Sequence, residues 1–310
     1  MRSLTPLTSI CNKKRDAVSL PRGPNASTSY ADEYGSALAR CSWEVDVAGA
    51  VAGEQMSSEQ PICDSRHVEA FLSRLRACVR LARDDEHALL NVIKDVRQLK
   101  TGTHLVRKGD RPHDVHILLA GWAARYDVVP NGGRAITAFL LPGDLLDQHV
   151  TVLGEMDHSI VTLTDATVAY LPNGRLESVA VRRPLVASAL WWSTLVDQAV
   201  LRAWLVNIGR RDAFEAIGHL LCELHARLAK VGITSNAHFE LPLTQEDVAD
   251  ALGLTPTHVN RMFKRLREEN FISLRQNKLV ILDIAKLQSV TGFDPSYLHS
   301  HPVDLLQLMA

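Results

Sequence analysis

The 310-residue sequence predicts an α+β chain in three parts: an N-terminal antiparallel β-roll, a long dimerisation helix, and a C-terminal winged helix-turn-helix. Three observations predict it. From Leu99 onward, short runs of alternating apolar and polar residues are separated by Gly109-Asp110, Asn131-Gly132-Gly133 and Pro142-Gly143-Asp144, the punctuation of antiparallel strands. From Pro184 the apolar positions recur at the spacing of one long helix. Between Leu243 and Ile281 two short capped helical patterns run into a hairpin pattern.

Composition sets the frame for these parts. With 46% hydrophobic and 22% charged residues, the chain has material for two globular domains plus an appendage. Residues 1–60, rich in Ser, Gly, Ala and Pro and without a sustained period, are expected to be disordered, since they bury too little apolar surface to offset ordering. Met56, just upstream of the first helical pattern (Val68, Leu72, Leu75, Val79), is an alternative start. No apolar run is long enough to span a bilayer and the first residues lack a signal peptide's apolar segment, so a cytoplasmic protein is expected. Five Cys at 11, 41, 63, 78 and 222 show no paired spacing and are read as reduced thiols. No repeat stands out at solenoid periods.

The roll is assigned to 61–182 and carries His104, His113, His116, His149 and His158 in or beside its strands. Lone His on strands usually serve as half-exposed surface residues, and no carboxylate accompanies these at ligand spacing, so neither a metal nor haem is expected. Residues 183–209 form the long helix, opened by Pro184, with Ser188, Trp192, Leu195, Ala199 and Val206 near heptad spacing. Its apolar edge is expected to face a second subunit through Trp192, Leu195, Ala199 and Val206. Trp191 beside Trp192 suggests that one ring packs on the chain's own roll.

A C-terminal domain is assigned to 210–285, with 286–310 as a tail. An amphipathic helix with core positions Ile217, Leu220, Leu221, Leu224 and Leu228 begins it. Thr244 then caps a helix with Asp247 as its acidic third position, and Gly253 stops that helix in a left-handed turn. Thr255 caps the next, with Pro256 in its first turn and Val259, Met262, Phe263 and Leu266 as a buried stripe. At about 100° per residue, Thr257, His258, Asn260, Arg261, Lys264 and Arg265 fall on the opposite face. Ile272 and Leu274, turn residues Gln276 and Asn277, then Leu279 and Ile281 make a β-wing.

Positive charge gathers here: from Thr255 to Lys278 there are six Lys or Arg against two Glu, in a chain of formal net charge -1. Two capped helices about a Gly turn, the second presenting donors, are what entry into a DNA major groove requires. Base readout is expected from Thr257, His258 and Arg261, and phosphate contact from Gln245, Thr255, Lys264, Arg265, Arg275 and Lys278.

The stretch "PLTQEDVADALGLTPTHVNRMFKRLREENFI" resembles the winged helix-turn-helix of the Crp/Fnr family of bacterial transcription regulators. Well-known members carry a Glu where this chain has Thr257 and an Arg where it has Arg261; the changed acid leaves the recognised bases open. Gly109, Asp110, Gly121, Gly143 and Asp144 fall at the turn positions of that family's cyclic-nucleotide-binding-type roll, so the resemblance runs from about Arg83 to Leu282. It implies an effector-responsive homodimer whose long helix is the interface, and an operator of inverted half-sites on double-stranded DNA. RNA polymerase is a further candidate partner, and the small-molecule effector is unknown.

Members that bind a cyclic nucleotide carry Gly-Glu and then Arg-Ser or Arg-Thr. Asp147-Gln148 and His158-Ser159 stand near those places here, so no cyclic-nucleotide binding is expected, although Arg125 or Arg134 could reach in from a neighbouring strand. The iron-sulfur option of the family needs a closely spaced Cys cluster that is missing, and Cys78 and Cys222 are read as packed small hydrophobes. No cofactor is expected. The competing readings are a cyclic-nucleotide-binding regulatory subunit acting on a protein partner and a metal-dependent β-roll enzyme. No nucleophile elbow, phosphate loop or dinucleotide fingerprint occurs, and the chain is not expected to be an enzyme.

Overall fold

Two short helices, α1 (Ser65–Arg76) and α2 (Arg83–Leu90), lead into seven strands: β1 (Asp95–Leu99), β2 (His104–Val106), β3 (Asp114–Ala120), β4 (Ala123–Val128), β5 (Arg134–Leu140), β6 (Ser159–Thr162) and β7 (Ala166–Pro172). The structure is a computed structural model that describes residues 65–148, 150–234 and 237–299, all within one compact unit, Ser58–Ala310. The expectations of disorder over 1–60 and of a start at Met56 lie outside the described residues.

The strands make two antiparallel sheets, ordered β1-β7-β3 and β2-β6-β4-β5. Ile117, Leu118, Ile160, Val168 and Leu171, which alternate between the two faces of their strands, are buried in one core with Phe71, Leu72 and Leu75 of α1. This is the expected roll. Two of its turns demand glycine: Gly121 (φ 87) and Gly143 (φ 92) are left-handed, and a Cβ would lie 2.5 Å from the Asp165 carbonyl and 2.6 Å from that of Ala70.

The short helices α3 (Val150–Leu153) and α4 (Asn173–Arg182) precede α5 (Pro184–Arg210), a helix of 27 residues with Pro184 in its first turn. One side of α5 packs on the chain itself through Val186, Ala189, Val196, Ala199, Val200 and Trp204. The opposite edge leaves Trp191, Leu195, Leu201, Leu205, Val206 and Ile208 exposed. Two expected interface residues therefore move inward: Ala199 is buried against its own chain, and Trp192 packs on both cores with the Lys230 ammonium 4.6 Å from its ring centroid. Heptad spacing could not separate them from the edge, because apolar residues surround most of α5 and a step of about 100° moves a side chain from one face to the next.

The DNA-binding domain follows as α6 (Ala213–Lys230), β8 (His238–Glu240), α7 (Gln245–Leu252), α8 (Pro256–Glu268), β9 (Ile272–Arg275) and β10 (Lys278–Ile281). Its sheet is ordered β8-β10-β9, so the wing hairpin gains a third strand. The chain beyond Ile281, expected to be a tail from 286, folds back as α9 (Ile284–Thr291) and a 3₁₀ turn (Pro295–Leu298). Arg211 donates to the carbonyls of Thr291 and Gly292, and the Tyr297 hydroxyl donates to Glu223 Oε2 at 2.7 Å. Residues 300–310 lie outside the described residues. Among those described, no helix is long and apolar enough to cross a membrane.

His219, buried beneath this C-terminal segment, stacks on Tyr297 and meets the Phe293 ring edge. Burial, with the nearby Arg211 charge second, lowers its pKa to about 4. The sign follows: the unfolded chain takes up this proton near pH 6.5 and the folded chain only near 4, so the contribution is complete above about 6.5 and lost as pH falls toward 4. We expect His219→Phe to remove up to about 3 kcal/mol of acid destabilisation between pH 6.5 and 4. Urea melts at the two pH values check this, and equal pH dependence in both proteins would refute it.

Candidate nucleic-acid interface

Local chemistry builds the helix-turn-helix. Thr244 Oγ1 accepts from the Asp247 amide at 3.0 Å while Asp247 Oδ2 accepts from the Thr244 amide at 2.9 Å, satisfying orphan donors at both ends of the first turn of α7. Gly253 ends α7 at φ 65, and Thr255 Oγ1 accepts from the His258 amide to begin α8. Val259, Met262, Phe263 and Leu266 are buried in one core with Val248, Leu252 and Ile217. The opposite face of α8 is set by that burial: Thr257, Asn260, Arg261 and Lys264 are exposed and His258 half-buried. The wing turn has Gln276 and Asn277 at φ 47 and 63, a left-handed pair that places Arg275 opposite Lys278 across the hairpin.

Gln245, Thr255, Arg275 and Lys278 are exposed at the ends of α7, α8 and the wing. Lys264 lies 3.6 Å from Glu268, a solvated i,i+4 pair. Arg265 departs from expectation: its Nε donates to Glu269 at 2.7 Å and its guanidinium lies 4.3 Å from the Phe214 ring centroid, so it braces α8 on α6. Being one residue past Lys264 turned it by about 100°, toward the domain's own edge.

Behind this surface lies a buried ionic junction that sequence reasoning missed. Arg227 of α6 donates to Asp144 Oδ2 at 2.7 Å and to the Phe139 carbonyl at 3.0 Å, and lies 3.5 Å from Glu223. Asp144 also pairs with Arg74 of α1 at 2.5 Å, and Arg74 reaches Asp197 of α5 at 2.9 Å. Burial raises the Glu223 carboxyl above its ordinary range, with the Arg227 charge opposing. Burial also lowers Lys230, to about 8, with the Arg74 charge second. The only visible signal was Glu223 and Arg227 at i,i+4 on one helix; the partners Asp144 and Arg74 belong to distant segments.

A cavity of about 320 Å³ opens beside the junction, between β4, β5 and α5, lined by Arg125, Thr137, His158, Asp197, Leu201 and Arg227 among others. Arg125 Nη2 donates to the Leu146 carbonyl at 3.0 Å and lies 3.9 Å from Asp197. Arg134 does not enter the cavity but turns to α7. Asp147 is directed to His116, accepting from its amide at 2.8 Å and meeting its ring Nδ1 at 2.5 Å, and Gln148 Nε2 donates to Thr194 at 2.6 Å. His116 is thus buried and paired with a carboxylate, unlike the half-exposed, partnerless residue expected from its strand. His149 lies outside the described residues. Cys78 and Cys222 are buried, and burial pushes both thiols up to about 12. Among the described residues no cluster of three or more His, Cys, Asp or Glu could hold a metal ion.

A roll with a cavity against a long helix, followed by a winged helix-turn-helix with a donor-bearing second helix, defines a class: regulators in which a sensory domain is joined to a DNA-reading one. Residues 96–183 match the cyclic nucleotide-binding domain and residues 215–290 the Crp-like helix-turn-helix domain. The transcriptional activator protein FnrL of Cereibacter sphaeroides is 29% identical over 227 residues, 71% of this chain and 90% of its own. The transcriptional activator protein FnrA of Stutzerimonas stutzeri is 27% identical over 229 residues, 72% of this chain and 91% of its own. The structure of FixK2 from Bradyrhizobium japonicum shares the fold, with a TM-score of 0.57 at 22% identity over 63% of this chain and 95% of that one. The chain belongs to the Crp/Fnr family, and it is a transcription regulator with a Crp-like helix-turn-helix.

Proposed function

We propose that this regulator acts in the cytoplasm as a homodimer, paired along the exposed edge of α5, that reads inverted half-sites on double-stranded DNA and responds to a small molecule bound beside α5. The observation that carries the reading is the polar face of α8, held outward by a fully apolar opposite face. Two-fold pairing would bring two such helices to successive major grooves about 34 Å apart. RNA polymerase is the further partner that transcription activation would require.

Thr257, His258 and Arg261 read bases in this scheme, and Gln245, Thr255, Lys264, Arg275 and Lys278 hold phosphates. Binding-site selection from random duplexes tests it: an inverted repeat is expected, and recovery of no common sequence would overturn the reading. Arg261→Ala should cost about 1 to 3 kcal/mol and relax one base-pair position in each half-site, because a guanidinium forks onto guanine acceptors. Lys264→Ala should weaken all sequences alike and flatten the salt slope by about one unit. A Lys264 variant with altered base preference and an unaltered salt slope would exchange these roles.

The effector is not a cyclic nucleotide. Asp147 and Gln148, which stand near the place of the ribose-holding Gly-Glu pair of cyclic-nucleotide-binding members, are directed instead to His116 and Thr194. His158, beside Asp157, offers single donors in place of a phosphate-gripping fork. Calorimetry with cyclic AMP and cyclic GMP should show no saturable binding at micromolar concentration, and binding that is lost in an Arg125→Ala variant would reverse this conclusion.

A further inference from the structure

The β4–β5 hairpin of the roll touches the DNA-reading domain directly. Arg134, first residue of β5 and paired across the hairpin with Val128, extends its guanidinium onto α7. Its Nε donates to Asp250 Oδ2 at 2.7 Å and its Nη2 to Asp247 Oδ1 at 2.7 Å. The two carboxylates lie one turn apart on the same face of α7. A fork that grips both restrains the rotation of α7 about its own axis as well as its distance from the roll, which a single lysine contact could not do.

The grip is mounted on rigid ground. Asp247 is also the third residue of the α7 capping box, its other oxygen accepting from the amide and hydroxyl of Thr244 at 2.9 and 2.7 Å. The three side chains are only 30% (Arg134), 9% (Asp247) and 22% (Asp250) exposed, so solvent screens the pair less than it screens an open surface contact. The strand that carries Arg134 also lines the cavity through Thr137, Ala138 and Leu140, and β4 lines it through Arg125 and Asp127. One hairpin therefore has a wall of the cavity in its middle and a hand on the helix-turn-helix at its end.

We propose that Arg134 is an inter-domain latch: the fork onto Asp247 and Asp250 fixes α7, and with it the α8 face, relative to the roll, so that displacement of β5 by a ligand is transmitted to the DNA-reading helix. The consequence for DNA rests on the function proposed above. Arg134 is a positioning residue. It also neutralises two acids on the helix whose first turn carries Gln245, so its removal both loosens α7 and leaves uncompensated negative charge near the phosphates.

Hydrogen exchange on the full chain without DNA reads the latch by itself. Arg134→Gln and Asp250→Asn should each speed exchange across α7 by about tenfold, and the double variant should exchange no faster than the faster single, as coupled partners do. Anisotropy with the selected duplex reads the consequence: Arg134→Gln should bind about tenfold more weakly, with a salt slope that changes by less than the full unit expected for Lys264→Ala, since no phosphate contact is removed. Unchanged exchange across α7, or effects of the singles that multiply in the double, overturns the latch. Loosened α7 with duplex affinity equal to or above wild type overturns its role in DNA reading. A wild-type chain that selects no duplex defeats the proposed function instead, and the exchange measurement still decides the latch.

Discussion

Replacing Leu201 and Leu205 together by Glu is expected to convert the dimer to monomers and to weaken binding to a full operator by about two to four orders of magnitude. Both side chains lie on the outer edge of α5, Leu201 44% and Leu205 64% exposed in the single chain. Their loss removes little packing from the protomer, so the far-ultraviolet melt should stay within a few degrees of wild type. In a two-fold pair of copies packed along α5, each new carboxylate would be buried without a cation, at a cost of several kcal/mol per charge. Two half-site contacts would no longer be linked, and the effective-concentration advantage of the second would be lost. Sedimentation velocity measures the first effect and operator titration the second. A double variant that still sediments as a dimer would place the interface elsewhere. Substitution of Ala199 is a poor probe, because that residue is buried in its own chain and its loss would confound assembly with folding.

Arg227→Ala should destabilise the folded chain by about 3 to 5 kcal/mol, the cost of breaking a buried ion pair by removing one partner. The guanidinium is 9% exposed, and the acids that it serves are less so: Asp144 at 3% and Glu223 at 0%. Asp144 would keep Arg74, but Glu223 would keep only the Trp204 indole and the Tyr297 hydroxyl, neither of them charged. The melting midpoint should fall by about 10 °C, given a shift of a few degrees per kcal/mol in a domain of this size. Adding Glu223→Gln to Arg227→Ala should recover part of the loss, because the amide keeps an acceptor for Trp204 and Tyr297 without a charge to desolvate. A single variant within 1 kcal/mol of wild type, or a double variant that loses the sum of both, would show that the junction is not a coupled ionic unit.

The reading of the helix-turn-helix from sequence depended on interactions that close within a turn. Thr244 meets Asp247 three residues on, Gly253 turns because no side chain obstructs it, and Gln276-Asn277 reverses the wing. Such caps and turns are decided by neighbours in the chain, and the buried stripe of α8 then assigned the polar face by geometry alone. Strand β8 escaped notice because His238–Glu240 is too short to show alternation and becomes a strand only by pairing with β10. The fold-back of Tyr297 onto Glu223 likewise spans 74 residues.

The sequence by itself determined the three-part architecture, the family and the outward face of α8, since periodicity, caps and turn residues act locally and agree. Only the tertiary structure decided which edge of the all-round apolar α5 is left open, that Arg265 braces its own domain, and that Arg134 and Arg227 tie the roll to the DNA-reading helices. Those contacts join residues such as Arg134 and Asp247, 113 positions apart, or Arg227 and Asp144, 83 apart. A buried charge must find its opposite somewhere in the fold, but which one it finds depends on how the two domains pack, and no local spacing records that.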